Sequence, residues 1–172
     1  MSRFFFAVWP NNQTRNTILQ CRSQLDFRGR TVNQSNLHIT LLFIGKMTVN
    51  QQKKIIQQAN QIEFPSFEIV LDHSGYFDRS RAFWLGMQEL PESLSKLHQE
   101  LLDIARNCHL PIKPQSYVPH LTLARKAAPV TLQTIKPIVW SIDRFALLES
   151  IDTNQGVEYK IVKYFTCSNE SN

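Results

Sequence analysis

The sequence predicts an α+β fold of two lobes related by a pseudo-twofold axis around a central cleft. Two observations lead there. Period-two runs of apolar and aromatic residues are interleaved with stretches of helical spacing, so strands and helices are mixed along the chain. A short string also occurs twice: Leu37-His38-Ile39-Thr40-Leu41-Leu42 and Pro119-His120-Leu121-Thr122-Leu123-Ala124 both contain His-x-Thr-Leu, nearly half the chain apart. No linker of low-complexity composition separates the halves, and 172 residues suffice for one domain with a real core. Residues 1–172 are therefore read as a single bilobal domain.

The elements follow in order. Residues 3–9, rich in Phe and ending in Val8-Trp9, form the first strand, closed by Pro10-Asn11. Ile18, Cys21 and Leu25 recur at helical spacing and place a helix over 12–26. The stretch 28–35 is polar and reads as a loop into the strand that carries His38, which Gly45 closes. Thr48 and Gln51 form a capping box, Ile55, Ile56, Ala59 and Ile62 mark the apolar face of a second helix, and Pro65 ends that segment.

Phe67, Ile69 and Leu71 alternate as a strand, and 82–87 forms another across a loop from Ser74 to Ser80. Leu94, Leu97, Leu101 and Ala105 give a third helix over 92–107, stopped before Pro111 and Pro114. Tyr117 to Ala124 is the second histidine strand. Two late strands follow, around 139–149 and 157–165, giving the order β-α-β-α-β-β-α-β-β-β.

The net charge is +5 and the pI about 9.3, a balance that favours an anionic partner. The basic residues are dispersed, with no block of the kind that marks a disordered nucleic-acid arm. Cys21, Cys108 and Cys167 are odd in number and widely spaced, without a C-x-x-C pair. They argue against a thiolate metal site and for a reducing, cytoplasmic location. The apolar run 4–9 is too short for a signal sequence or a membrane span, so no membrane association is expected.

Alternation on a strand places each histidine on the face of the threonine two residues later. His38 with Thr40 and His120 with Thr122 would then supply two imidazoles and two hydroxyls to one cleft. Paired imidazoles suit a reaction that takes a proton from a nucleophile and gives one to a leaving group near neutral pH. Hydrolysis of a strained cyclic phosphodiester is such a reaction: one histidine activates water, the other protonates the departing ribose oxygen, and the threonines hold non-bridging oxygens. An acid and a base replace a metal-bound hydroxide, so neither metal nor cofactor is required.

Arg125 follows the second motif and offers a guanidinium for phosphate. Tyr117 offers a ring for a base or sugar. Strict alternation sets both on the face away from His120 unless the strand bulges near Ala124 or Pro119 disturbs its register. The first motif carries Phe43 where the second has Arg125. His73, His98 and His109 show no ligand spacing and are read as structural or exposed, Arg79 and Arg81 as a hairpin rim, and Phe83 and Trp84 as core.

The strings Asn36-Leu37-His38-Ile39-Thr40-Leu41 with Phe43-Ile44-Gly45, and Tyr117-Val118-Pro119-His120-Leu121-Thr122-Leu123-Ala124-Arg125, resemble the two signatures of the two-histidine phosphoesterase superfamily. Within it the chain is most similar to the RNA 2′,3′-cyclic phosphodiesterases historically called 2′-5′ RNA ligases. Arg3-Phe4-Phe5-Phe6-Ala7 and Ser80-Arg81-Ala82-Phe83-Trp84-Leu85-Gly86 share that likeness, which extends from residue 3 to about 165. Ile39 departs from the usual Leu at a position facing away from the cleft.

The resemblance implies two antiparallel sheets flanking the cleft with helices outside, and opening of a terminal 2′,3′-cyclic phosphate to a 2′-phosphate. It maps acid and base onto His38 and His120, and phosphate contacts onto Thr40, Thr122 and Arg125. Our reading takes His120 as base and His38 as acid. The expected partner is RNA with a cyclic phosphate end, such as tRNA fragments, or small cyclic nucleotides, and the expected state is a monomer. The rival readings are reversible 2′-5′ joining of RNA by the same acid–base pair, and a non-catalytic RNA-end binder.

Overall fold

The computed structural model describes residues 2–113, 116–154 and 156–168, and Pro114 of the expected helix stop lies outside them. The chain runs β1 (Arg3–Val8), α1 (Asn12–Gln24), β2 (Arg30–Thr31), a 3-10 turn (Gln34–Asn36), β3 (Ile39–Gly45), α2 (Val49–Ala59), β4 (Phe67–Phe77), β5 (Ala82–Gly86), α3 (Glu92–Asn107), β6 (Leu121–Arg125), β7 (Thr134–Ile142), β8 (Arg144–Thr153) and β9 (Gly156–Thr166).

Local chemistry explains most of these bounds. The Thr48–Gln51 capping box is present and starts α2. Asn11 caps α1 by accepting from the Thr14 amide. In α3, Leu94, Leu97, Leu101 and Ala105 are all buried, as their spacing requires. Other bounds differ from expectation. The second helix ends at Ala59, before Pro65, and β4 continues to Phe77 through the stretch expected to be loop. The strand expected at 139–149 is two, β7 and β8, broken at Asp143, and the polar loop at 28–35 contains β2.

Hydrogen bonding joins the strands into one nine-stranded antiparallel sheet, in the order β7-β4-β5-β6-β3-β1-β8-β9, with β2 paired to β6. Two separate sheets were expected. What joins the two halves is the single residue pair Ile39↔Leu121 between β3 and β6. Beyond that pair the strands part, and β2 takes the vacated edge of β6 through Thr31↔Ala124 and Arg30↔Arg125.

The two faces of the sheet differ. One carries the main core, in which Phe6, Ile39, Leu41, Phe83, Leu85 and Leu121 meet the buried faces of the helices, including Ile18, Ile55 and Leu101. On the other face of the β3-β1-β8-β9 half, Phe5, Ala7, Ala146 and Leu148 form a second, smaller cluster with Trp9 and Tyr159. The helices thus cover one side and leave the other open. No helix among the described residues is long and apolar enough to cross a membrane.

Candidate active site

The bridge between β3 and β6 creates the centre of the site. Ile39 and Leu121 are fully buried and point into the main core. Their neighbours must therefore project to the open face. In an antiparallel pair centred on Ile39↔Leu121, position 38 lies across from 122 and position 120 across from 40. One backbone bridge thus sets His38, Thr40, His120 and Thr122 together on one face.

Both imidazoles are oriented in the same way. The His38 Nδ1–H donates to the Asn36 carbonyl and the His120 Nδ1–H to the Val118 carbonyl, each at 2.7 Å and each two residues back. A carbonyl can only accept, so the proton is fixed on Nδ1 and the Nε2 lone pair is left for chemistry. At His38 that Nε2 meets the Thr40 hydroxyl at 3.2 Å.

The surroundings of the two rings differ. Trp9 stacks on His38 at 5.0 Å and 14°, while Phe5 and Tyr159 approach at 5.2 Å each. His120 has Phe77 edge-on at 4.8 Å and Trp84 at 5.9 Å. Burial is the main cause that pushes His38 down to about 4, with smaller contributions from the Arg125 and His120 charges. His120 is also lowered, chiefly by burial, against the opposing bond to Val118 and with a smaller contribution from the Arg125 charge. The influence of His120 on His38, and of Arg125 on both, places the three groups within electrostatic reach.

A cleft of about 1020 Å³ opens over this face, lined by His38, Thr40, Phe43, Thr122 and Arg125, with Arg30 and Tyr159 among its other walls. Arg125 reaches it because of a bulge. Phe83 pairs with Ala124 and Trp84 with Thr122, so Leu123 is an extra residue on β6. Leu123 and Ala124 are both buried in succession, and the alternation is reset at Arg125. The same device occurs in β3, where Phe6 pairs with Leu42 and Ala7 with Thr40, leaving Leu41 as the extra residue. It turns Phe43, half exposed, to the cleft in the position matching Arg125.

Tyr117 is not in the cleft. Its ring lies flat on His98, 3.8 Å between centroids and 1° between planes, on the side of the main core. Its buried hydroxyl has no hydrogen-bond partner among the described residues, and burial holds its pKa well above the usual range. No disturbance at Pro119 brings it round. His98 itself donates through Nδ1 to the carbonyl of Leu41, the bulged residue of the first motif, at 2.7 Å.

The remaining residues fall mostly where the sequence puts them. His73 donates to Asp72 at 2.8 Å, and Arg81 holds the Ala127 carbonyl at 3.1 Å. Phe83 and Trp84 are both buried, and Trp84 also stands beside His120, its indole lying over Gly75. A Cβ at Gly75 would fall 2.1 Å from that ring, so only glycine fits beneath it. Among the described residues no group of three or more His, Cys, Asp or Glu is placed to hold a metal ion.

Sequence reasoning missed Trp9, Tyr159 and Arg30. Trp9 had a signal, since Phe5, Ala7 and Trp9 share a face by alternation. Tyr159 and Arg30 had none, because only the pairing of β9 and β2 brings them in.

His38, Thr40, Thr122 and Arg125 line one cleft and His120 stands on the same face of the sheet beside them, a set of imidazoles, hydroxyls and a guanidinium that can exchange protons and hold an anion. The chain belongs to the 2′-5′ RNA ligase superfamily, whose family model matches residues 10–154. It is 34% identical over 167 residues to the RNA 2′,3′-cyclic phosphodiesterase of Escherichia coli, covering 94% of each chain. The enzyme of the same name from Thermotoga maritima is 29% identical over 178 residues, covering 93% of this chain and 92% of its own. The crystal structure of E. coli LigT in its apo form superposes with a TM-score of 0.89 at 29% identity, covering 98% of both chains.

Proposed function

We propose that this enzyme opens the 2′,3′-cyclic phosphate at RNA ends to a 2′-phosphomonoester, with His38 and His120 as its acid–base pair. The observation that carries the reading is the matched pair of Nε2 atoms, each freed by an Nδ1–H bond to a carbonyl two residues earlier and brought together by one backbone bridge. Relatives of nearly the same length carry that activity in their names, and the net charge of +5 suits an anionic substrate.

In the step proposed, water adds to phosphorus and the P–O3′ bond breaks. His120 Nε2 takes the proton from water while His38 Nε2 gives one to O3′, and solvent resets the pair. His120 is the less enclosed ring, with two aromatic neighbours against three, which suits the group that must meet water. The stacked Trp9 face supports a transient imidazolium at His38. Burial makes that imidazolium a strong acid, so its proton passes readily to the leaving oxygen. Thr40, Thr122 and Arg125 hold the non-bridging oxygens and stabilise their charge.

We also infer that the chain is one bilobal domain with pseudo-twofold half-sites. The matching bulges at Leu41 and Leu123 support this, as do the units β1-α1-β3 and β5-α3-β6, each built around a histidine strand. The free cysteines support a reducing, cytoplasmic setting.

The test is turnover of a short RNA ending in 2′,3′-cyclic phosphate, in excess chelator, with products identified by position. Wild type is expected to yield only the 2′-phosphate, and His38→Ala or His120→Ala to lose about 10²–10⁴-fold in rate. Near wild-type turnover by either variant would remove the pair from the chemistry.

A further inference from the structure

Directly across the ladder from Arg125 stands a second arginine. Strand β2 is held firmly against β6: Val32 donates to the Leu123 carbonyl and Ala128 to the Arg28 carbonyl, both at 2.9 Å, on either side of the Arg30↔Arg125 pair. Gly29 allows this close approach, since a Cβ there would lie 2.9 Å from the Ala127 Cα. Directly opposed residues share a face, with Cβ atoms about 4.5–5.5 Å apart. Arg125 faces the cleft, so Arg30 does too, and both line it.

Like charges placed directly opposite destabilise a sheet. Among the described residues no carboxylate pairs with Arg30 or Arg125. Asp152 is taken by Arg3 at 3.0 Å, and Glu158 belongs to β9, at the far edge of the other half of the sheet. Two adjacent, uncompensated guanidinium groups on a cleft wall match two adjacent anionic groups of a ligand.

The arginines are not equivalent. Arg125 depresses the pKa of both imidazoles, and Arg30 lies on β2, across the ladder on the side of Arg125 away from the Ile39↔Leu121 bridge. Arg125 is thus the one at the reacting centre, and Arg30 stands one place farther out. The cleft, about 1020 Å³, also reaches the top of the roughly 300–1,000 Å³ range of sites for single small ligands.

We propose that Arg30 binds the phosphodiester immediately 5′ of the terminal cyclic phosphate, so that the enzyme selects oligonucleotide ends over mononucleoside cyclic phosphates. This rests on the function proposed above, and it is best tested by binding, which does not depend on turnover. The probes are a trinucleotide carrying a 2′-phosphate at its 3′-terminal ribose and the corresponding nucleoside 2′-monophosphate, titrated into wild type, Arg30→Ala and Arg30→Lys at several salt concentrations.

Arg30→Ala is expected to cut the preference for the trinucleotide over the mononucleotide about tenfold, as for loss of one charge-assisted contact. The slope of log affinity against log salt for the trinucleotide should fall by about 0.7, the value for one phosphate on a single strand. Arg30→Lys keeps the slope and loses part of the preference. Equal weakening of both probes would move Arg30 to the terminal phosphate, and unaltered trinucleotide binding would make it a solvated surface charge; either overturns the proposal. Wild type that binds both probes with the expected preference but hydrolyses neither cyclic substrate would instead defeat the function reading alone.

Discussion

The two half-sites share a backbone and differ in their side chains. Each has a histidine tied through Nδ1 to a carbonyl two residues back, a threonine next on the same face, and a leucine bulge that turns a third residue to the cleft. The third residue is Phe43 in one and Arg125 in the other. Three rings enclose His38, whereas His120 has two and lies beside the strand that carries the guanidinium. Two similar stretches of backbone thus hold two like groups in unlike surroundings, and the proposed division into acid and base rests on that difference.

The largest effect tests whether the halves act as one. In the proposed mechanism acid and base serve a single step, so the double variant His38→Ala/His120→Ala should be no slower than the worse single variant, rather than showing the product of two losses. Single-turnover rates on a cyclic-phosphate RNA measure this, and multiplicative losses would mean that the two histidines serve separate steps.

Next in size is the residue that only one half possesses. Arg125→Ala is expected to cost about 10²–10³-fold in kcat, as for loss of a charge-stabilising donor, and Arg125→Lys to recover only part because one ammonium cannot bond in a fork. Phe43→Ala leaves that charge in place and should fall well short of this loss in kcat. Equal kcat losses in the two variants would erase the asymmetry.

A smaller, graded effect comes from pH. Burial lowers both imidazoles below 6.5, His38 to about 4. The profile of kcat/KM, which reports the free enzyme, should therefore be bell-shaped with its maximum on the acid side of 6.5. It falls as pH rises further because the protonated partner is depleted. A bound phosphate anion favours imidazolium, so the kcat profile should lie at higher pH than that of kcat/KM. A kcat/KM maximum well above neutrality would contradict the burial seen at His38.

Much of this frame was legible in the sequence, and the part that was not has a common cause. Helix α3 and the α2 cap follow from local spacing and one side-chain exchange, so they could be read directly. His38, His120 and their threonines follow from alternation within a few residues. Arg125 needed a bulge, which alternation allows without fixing. The joining of two sheets into one through Ile39↔Leu121, and the arrival of Arg30 beside Arg125, are long-range pairings that no local pattern encodes.

The smallest effect belongs to Tyr117, the residue that the second motif seemed to offer and the fold took away. Its ring is held against His98, and His98 holds the bulge carbonyl at Leu41, so the ring supports the first half-site from behind. Its hydroxyl is buried without a partner among the described residues, a state that costs free energy. Tyr117→Phe keeps the stack and removes the unpaired oxygen. The variant should equal wild type or gain up to about 1 kcal/mol in stability, seen as a raised denaturant midpoint with an unchanged m-value. Turnover should stay within about 0.5 kcal/mol of wild type, the span of a substitution outside the working groups. A large loss of turnover at undiminished stability would return the phenol to the chemistry. Loss of stability would mean that the hydroxyl has a partner after all.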